Sequence, residues 1–173
     1  MSNSELANLF TVCEAENSSI ETDDAIALEA LIRAVRTTPS ITSLFGEIVN
    51  GKTLLSLCCG SGKTNCAIFV LNYASHIAAV RDGKGMLPLH WAAGTGDLKL
   101  VQAVYEAYPL ALNELTDGGN TPLYFAVDSE AVEVVEYLLI KGAFLLENVV
   151  SHCAPSEFDS ERSTRVREII SSF

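Results

Sequence analysis

The run Gly85-Met86-Leu87-Pro88-Leu89-His90-Trp91-Ala92-Ala93-Gly94-Thr95-Gly96 decides the reading of this chain, because it is the middle of three copies. A gapless counterpart, Gly51-Lys52-Thr53-Leu54-Leu55-Ser56-Leu57-Cys58-Cys59-Gly60-Ser61-Gly62, stands 34 residues upstream. A third, Gly119-Asn120-Thr121-Pro122-Leu123-Tyr124-Phe125-Ala126-Val127-Asp128-Ser129-Glu130, stands 34 residues downstream. The frame persists beyond the quoted runs: Cys66-Ala67, Leu100-Val101 and Val134-Val135 coincide, as do Val70-Leu71, Val104-Tyr105 and Leu138-Leu139. A fixed period of this length is the signature of a repeat architecture, in which each unit buries its apolar face only against its neighbours. The units fall at 48–81, 82–115 and 116–149.

Within a unit the apolar residues recur at helical spacing: Leu98, Val101 and Tyr105 with Leu100 and Val104, then Val132, Val135 and Leu139 with Val134 and Leu138. A shorter helix is expected before each, over about Pro88 to Thr95 and Pro122 to Ser129. Proline suits a first helical turn because the N–H it lacks would be unpaired there. Gly62 and Gly96 break the helix pair, and in the third unit Glu130 must make the same turn without glycine's tolerance of positive φ. The Asp-Gly steps of Arg81-Asp82-Gly83-Lys84-Gly85 and Thr116-Asp117-Gly118-Gly119-Asn120 predict tight hairpins between units. The fold class expected is all-α, a helical repeat solenoid with short hairpin turns between helix pairs.

These residues resemble the ankyrin repeat, whose first helix opens on Gly, one residue, Thr-Pro-Leu-His and two alanines. The second unit matches at Gly85, Pro88, Leu89, His90, Ala92, Ala93, Gly96 and Leu98, the third at Gly119, Thr121, Pro122, Leu123, Ala126 and Val132. The first unit fits at Gly51, Thr53, Leu55 and Gly62 but carries Leu54 for Pro, Ser56 for His and Cys58-Cys59 for the alanines. Cysteine is small and readily buried, so the packing is expected to survive.

The flanks are weaker. In 1–47, Leu28, Leu31, Ile32 and Val35 form a helical stripe comparable to a repeat's second helix, with Thr38-Pro39 set against Tyr108-Pro109 after a two-residue insertion. Leu6, Leu9, Phe10 and Cys13 share one face of a helix over Glu5 to Glu14 that would pair with 24–36, making the segment a degenerate N-terminal cap or partial repeat. In 150–173 the frame fails: Leu145, Leu146, Val149 and Val150 run on without a first-helix signature, and a polar linker from Ser151 to Ser160 leads to a helix with Val166, Ile169 and Ile170 on one side. That helix reads either as a degenerate cap or as the truncated end of a longer array.

Composition narrows the function classes. Eleven Lys and Arg against 22 Asp and Glu give a net charge of −11, which opposes approach to nucleic acid or an anionic membrane and favours a basic protein surface. No run of about 18 uncharged apolar residues occurs, and Met1-Ser2-Asn3-Ser4-Glu5 opens no secretory signal. The five cysteines, at 13, 58, 59, 66 and 153, are odd in number and show no CxxC spacing. A cytoplasmic or nuclear protein is expected. With 49% hydrophobic residues the chain can bury a core without a disulfide or metal.

Several motifs invite chemistry and are better read as structure. Gly60-Ser61-Gly62-Lys63-Thr64 resembles the end of a phosphate-binding loop, but the required upstream glycine is Leu57 and a helix, not a strand, precedes it. It reads as the turn between two repeat helices; a nucleotide binder using Lys63 and Thr64 is the rival from the enzyme class. The resemblance implies that His90 hydrogen-bonds neighbouring backbone, while His76 and His152 read as residues of a connecting loop and a polar tail. Cys58, Cys59 and Cys66 occupy core positions without the convergence of a zinc site. Trp91 and Phe125, at one repeat position, read as packing between units, and Glu130, Glu133 and Glu136 as a solvated acidic face.

No catalytic residue, metal or cofactor is expected, and the repeat implies a non-catalytic scaffold or adaptor for another protein. In the ankyrin family partners bind across hairpin tips and the concave face of the first helices. The matching positions are Asn50, Lys52, Gly83, Lys84, Met86, Asp117, Gly118 and Asn120 on the hairpins, with Gly60, Ser61, Gly94, Thr95, Asp128 and Ser129 at the first-helix ends. A monomer is expected unless the C-terminal edge is uncapped. The alternative is a structural segment of a longer array with no partner of its own.

Overall fold

The computed structural model describes residues 11, 20–37, 45, 48, 51–153 and 160–173. The N-terminal stripe of Leu6, Leu9, Phe10 and Cys13, Thr38-Pro39 and Asn50 lie outside the described residues. The helices are α1 (Ile20–Thr37), α2 (Leu54–Gly60), α3 (Thr64–Ala74), α4 (Pro88–Thr95), α5 (Leu98–Ala107), α6 (Pro122–Asp128), α7 (Val132–Ile140), α8 (Glu147–His152) and α9 (Glu161–Ser172). Short 3₁₀ turns, Ser75–Ala79 and Pro109–Asn113, follow α3 and α5 at the same repeat position.

The helices form two rows. Along the inner row α2 packs on α4, α4 on α6 and α6 on α8; along the outer row α1 packs on α3, α3 on α5, α5 on α7 and α7 on α9. Short loops force each inner helix against the outer helix that follows it, as α2 with α3, α4 with α5 and α6 with α7. Between the rows lies one continuous core, including Leu31, Leu55, Cys58, Cys59, Val70, Leu89, Ala92, Val101, Leu123, Val134 and Val149. The all-α repeat solenoid expected from the period is the fold observed.

Each inner helix starts with its own device. Before α2, Thr53 and Ser56 form a reciprocal cap in which Ser56 N–H donates to Thr53 Oγ1 (3.0 Å) and Thr53 N–H to Ser56 Oγ (2.9 Å). Pro88 and Pro122 occupy the first turns of α4 and α6. Asp97 caps α5, accepting from the N–H groups of Lys99 (2.9 Å) and Leu100 (3.2 Å).

Glu130 does take the left-handed backbone that Gly96 takes in the unit before, with φ 53° against 75°. A side chain there costs about 1 kcal/mol or more. Its carboxylate faces the start of α9, accepting from Ser160 Oγ (2.6 Å) and from the Ser163 hydroxyl. A negative charge beside a helix N-terminus is favourable, so the interaction offsets part of the strain.

Two expectations at the C-terminal end are corrected. Residues 147–152 form α8, so Ser151 and His152 of the expected polar linker lie on a helix, and His152 is not in a tail. The 34-residue frame hid this helix, because α8 begins only 25 residues after α6, at Glu147 against Pro122. Val149 anchors it in the core. The terminal helix is present as α9, with Val166 and Ile170 buried against the outer row and Ile169 only partly so.

Candidate functional site

The hairpins form one edge of the stack, and a side chain rather than a glycine organises the middle one. Asp82 Oδ1 accepts from Lys84 N–H (2.8 Å) and Met86 N–H (3.0 Å), and Asp82 Oδ2 accepts from Trp91 Nε1 (2.8 Å). Backbone bonds from Gly85 N–H to Asp82 O (3.1 Å) and from Asp82 N–H to Met86 O (2.9 Å) close the turn. In the next hairpin Thr116 stands in Asp82's place, its Oγ1 accepting from Asn120 N–H at 3.2 Å.

The turn glycine differs from the one the Asp-Gly steps suggest. Positive φ falls at Gly85 (68°) and at its repeat equivalents Gly51 and Gly119, not at Gly83 or Gly118. Gly83 serves close approach instead: a Cβ there would lie 3.3 Å from both Cα and O of Gly51. That proximity lets Gly83 N–H donate to Gly51 O at 2.8 Å, and one step along the stack Asp117 N–H donates to Lys84 O at 3.4 Å. Hairpin is thus tied to hairpin through backbone.

The expected binding residues separate into two groups at opposite ends of the inner helices, about 10 Å apart for helices of seven or eight residues. At the hairpin end Gly83, Lys84, Asp117 and Gly118 are exposed and Lys52 and Asn120 half-buried, while Met86 is buried. At the other end Gly60, Gly94, Thr95, Asp128 and Ser129 are exposed and Ser61 half-buried. Thr95 and Ser129 turn their hydroxyls back onto helix carbonyls, Ala92 O (2.7 Å) and Ala126 O (3.2 Å), which finishes α4 and α6.

Between the two groups lie aromatic rings that the repeat pattern marks only as packing. Trp91 covers Gly60 of the preceding unit so closely that a Cβ there would stand 3.0 Å from its Cε3. Lys52 Nζ lies 5.3 Å from the Trp91 ring centre, a cation–π contact across two units. Phe125 meets His90 edge-on with ring centres 5.9 Å apart. All of Trp91, Tyr124 and Phe125 keep some exposure.

The C-terminal segment also reaches this surface. Asn148 Nδ2 donates to Asn120 Oδ1 (2.9 Å) and Gly119 O (3.2 Å), and His152 Nε2 pairs with Asp128 Oδ1 (2.9 Å). His152 also lies beside Tyr124, ring centres 4.9 Å apart. Asn120 and Asp128 are therefore shared with α8, a contact for which no signal exists in the repeat frame.

His90 is fully buried and bonded on both ring nitrogens. Nδ1 accepts from Leu87 N–H (3.0 Å), which leaves Nε2 to donate to Glu114 O near the end of the same unit (2.9 Å). Burial lowers its pKa, opposed by those backbone bonds, so the ring is held neutral. Cys59 is fully buried and its thiol is pushed far up by desolvation, which removes the reactive thiolate.

The glycine-rich run at 60–64 is likewise occupied by structure. Lys63 is 3% exposed, and the Thr64 hydroxyl donates to the Asp97 carboxylate at the cap of α5. A phosphate there would have to displace both and would meet Asp97's charge. Among the described residues no three His, Cys, Asp or Glu side chains converge as a metal site, and no helix is long and apolar enough to cross a membrane.

Comparison with known proteins follows the same frame. A family profile described as ankyrin repeats (3 copies) matches residues 81–148, which contain the second and third copies of the run. The chain is 35% identical over 78 residues to ankyrin repeat domain-containing protein 53 of Macaca fascicularis, covering 43% of this chain and 16% of that protein. It is 42% identical over 71 residues to the ANK repeat-containing protein nipk-1 of Caenorhabditis elegans, covering 36% of this chain and 12% of that one. It is 38% identical over 64 residues to the probable 26S proteasome regulatory subunit p28 of Saccharomyces cerevisiae, covering 36% and 28%. The chain thus spans between 12% and 28% of the length of these relatives.

Proposed function

The chain belongs to the ankyrin-repeat family through residues 81–148, and from that premise we propose that it is a non-catalytic scaffold that binds a protein partner in the cytoplasm or nucleus. The working units are 48–81, 82–115 and 116–149. The surface runs from the hairpin residues Lys52, Gly83, Lys84, Asp117, Gly118 and Asn120 across the exposed rims of Trp91, Tyr124 and Phe125. It ends on Gly60, Ser61, Gly94, Thr95, Asp128 and Ser129, while Met86 supports it from beneath.

The observation that carries this reading is the backbone link between hairpins, Gly83 N–H to Gly51 O and Asp117 N–H to Lys84 O. Tips fixed to one another lose little conformational freedom on association, so modest contacts from several units add to a useful affinity. Lys84→Glu combined with Thr95→Arg is expected to weaken partner binding about tenfold with helicity unchanged. Circular dichroism and titration of a partner identified by affinity capture check this, and an unaltered dissociation constant would sink the surface.

A second reading, a structural segment of a longer array with no partner of its own, is supported by the small share of the relatives that the chain spans.

A further inference from the structure

The outer row carries aromatic residues that pack on the core and yet keep part of their surface exposed. Tyr105 on α5 and Tyr137 on α7 meet edge to face, ring centres 5.9 Å apart and planes at 90°. Both are only half-buried, on packed helices of the outer row. Lys141, exposed at the C-terminal end of α7, extends over the pair with Nζ 5.5 Å from the Tyr105 ring centre and 5.3 Å from that of Tyr137. One ammonium thus faces two rings, within the range in which the ring quadrupole attracts a cation.

Two exposed carboxylates stand on the same two helices. Glu133 lies one helical turn before Tyr137, as Lys141 lies one turn after it, so the three share a ridge of α7. Glu106, exposed on α5, is close enough to help raise the Tyr137 pKa, after burial and before Tyr105 itself. Toward the first unit, Phe69 and a well-exposed Tyr73 continue the aromatic row, ring centres 4.8 Å apart. Rings that attract cations, edged by exposed carboxylates in a chain of net charge −11, present one kind of complementarity.

We propose that the Tyr105–Tyr137 pair with Glu106 and Glu133 is a second binding site, on the outer row, for a lysine-bearing basic segment of a partner protein, and that Lys141 is its built-in occupant. Lys141 shows the geometry in which an ammonium is received, and a partner's lysine would enter as Lys141 swings into solvent. This site shares no residue with the hairpin surface, so failure of either leaves the other standing.

Tetralysine peptide, blocked at both ends, is the probe, titrated into the full chain at low ionic strength and followed by NMR shifts of the tyrosine ring protons. Lys141→Gln empties the site and is expected to tighten binding about threefold more than Lys99→Gln, an exposed lysine on α5 whose loss changes the net charge equally. Tyr105→Leu with Tyr137→Leu changes no charge and is expected to weaken binding about fivefold, the effect of removing both rings that receive the ammonium. Equal affinities for Lys141→Gln and Lys99→Gln overturn the proposal, as does undiminished binding in the folded leucine pair. The comparison of the two lysine variants touches no core residue and decides the matter even if the leucine pair does not fold.

Discussion

Where the second unit carries His90, the first carries Ser56, and both side chains fasten the start of an inner helix. Ser56 closes a local loop, exchanging hydrogen bonds with Thr53 alone. His90 is longer and has two polar atoms on opposite sides of a ring, so one holds Leu87 at the start of its helix and the other Glu114 near the end of the same unit. A serine cap stabilises a helix start, whereas the histidine also ties that start to the far end of its own unit. The third unit has neither: Tyr124 stands at that position and its ring lies against His152, and the unit is tied instead to α9 through Glu130. One repeat position thus serves three different contacts.

The sharpest way to break this comparison is at His90. His90→Ala leaves the buried Leu87 N–H and the Glu114 carbonyl without their partner and opens a void, together costing about 3 kcal/mol in urea denaturation. The same residue should give a pH dependence. Its folded pKa lies below the unfolded value of about 6.5, so the unfolded chain takes up the proton first. The stabilisation is complete above that value and is lost as pH falls below it toward the folded pKa. The slope of stability between about pH 7 and 5 should flatten in His90→Ala, and an unchanged slope would show that the ring is not held neutral.

At Ser56 the expected effect is smaller, because only one helix start is involved. Ser56→Ala should cost about 1 kcal/mol by the same measurement, and a cost equal to that at His90 would erase the distinction between local and coupling roles. Smallest of all is Glu130→Gly. It relieves a positive φ worth about 1 kcal/mol and removes a tether of similar size, so global stability should stay within about 1 kcal/mol of the parent. Amide exchange in α9 should nonetheless quicken, and protection equal to the parent's would mean that Glu130 does not hold that helix.

Much of the stack was legible because proline and apolar spacing act locally. Pro88 and Pro122 mark the first turns of α4 and α6, and the stripes from Leu98 and Val132 place α5 and α7. The hairpins were less legible: Asp82 looked like half of an Asp-Gly turn, but its carboxylate gathers two N–H groups and an indole, passing the positive φ on to Gly85. The position of α8 was hidden because it depends on burial of Val149, on the bonds of Asn148 to the hairpin at Gly119 and Asn120 and on His152 at Asp128 of α6, not on the period. Glu130 could be seen as an anomaly, yet its reason lies in Ser160 and Ser163. The hairpin surface followed from family resemblance, whereas the Tyr105–Tyr137 pair joins residues at different repeat positions and needed the stacking of α5 on α7 to appear.

The buried thiols of the first unit have a consequence in time rather than in energy. Cys58, Cys59 and Cys66 are reduced thiols enclosed in the core, where the Cys59 thiol is kept protonated. A thiol in that state is consumed by an alkylating reagent or an oxidant only during the moments when its unit opens. The place where cysteines stand for the usual alanines therefore carries a chemical clock, whose ticks are the openings of one repeat rather than the unfolding of the whole stack.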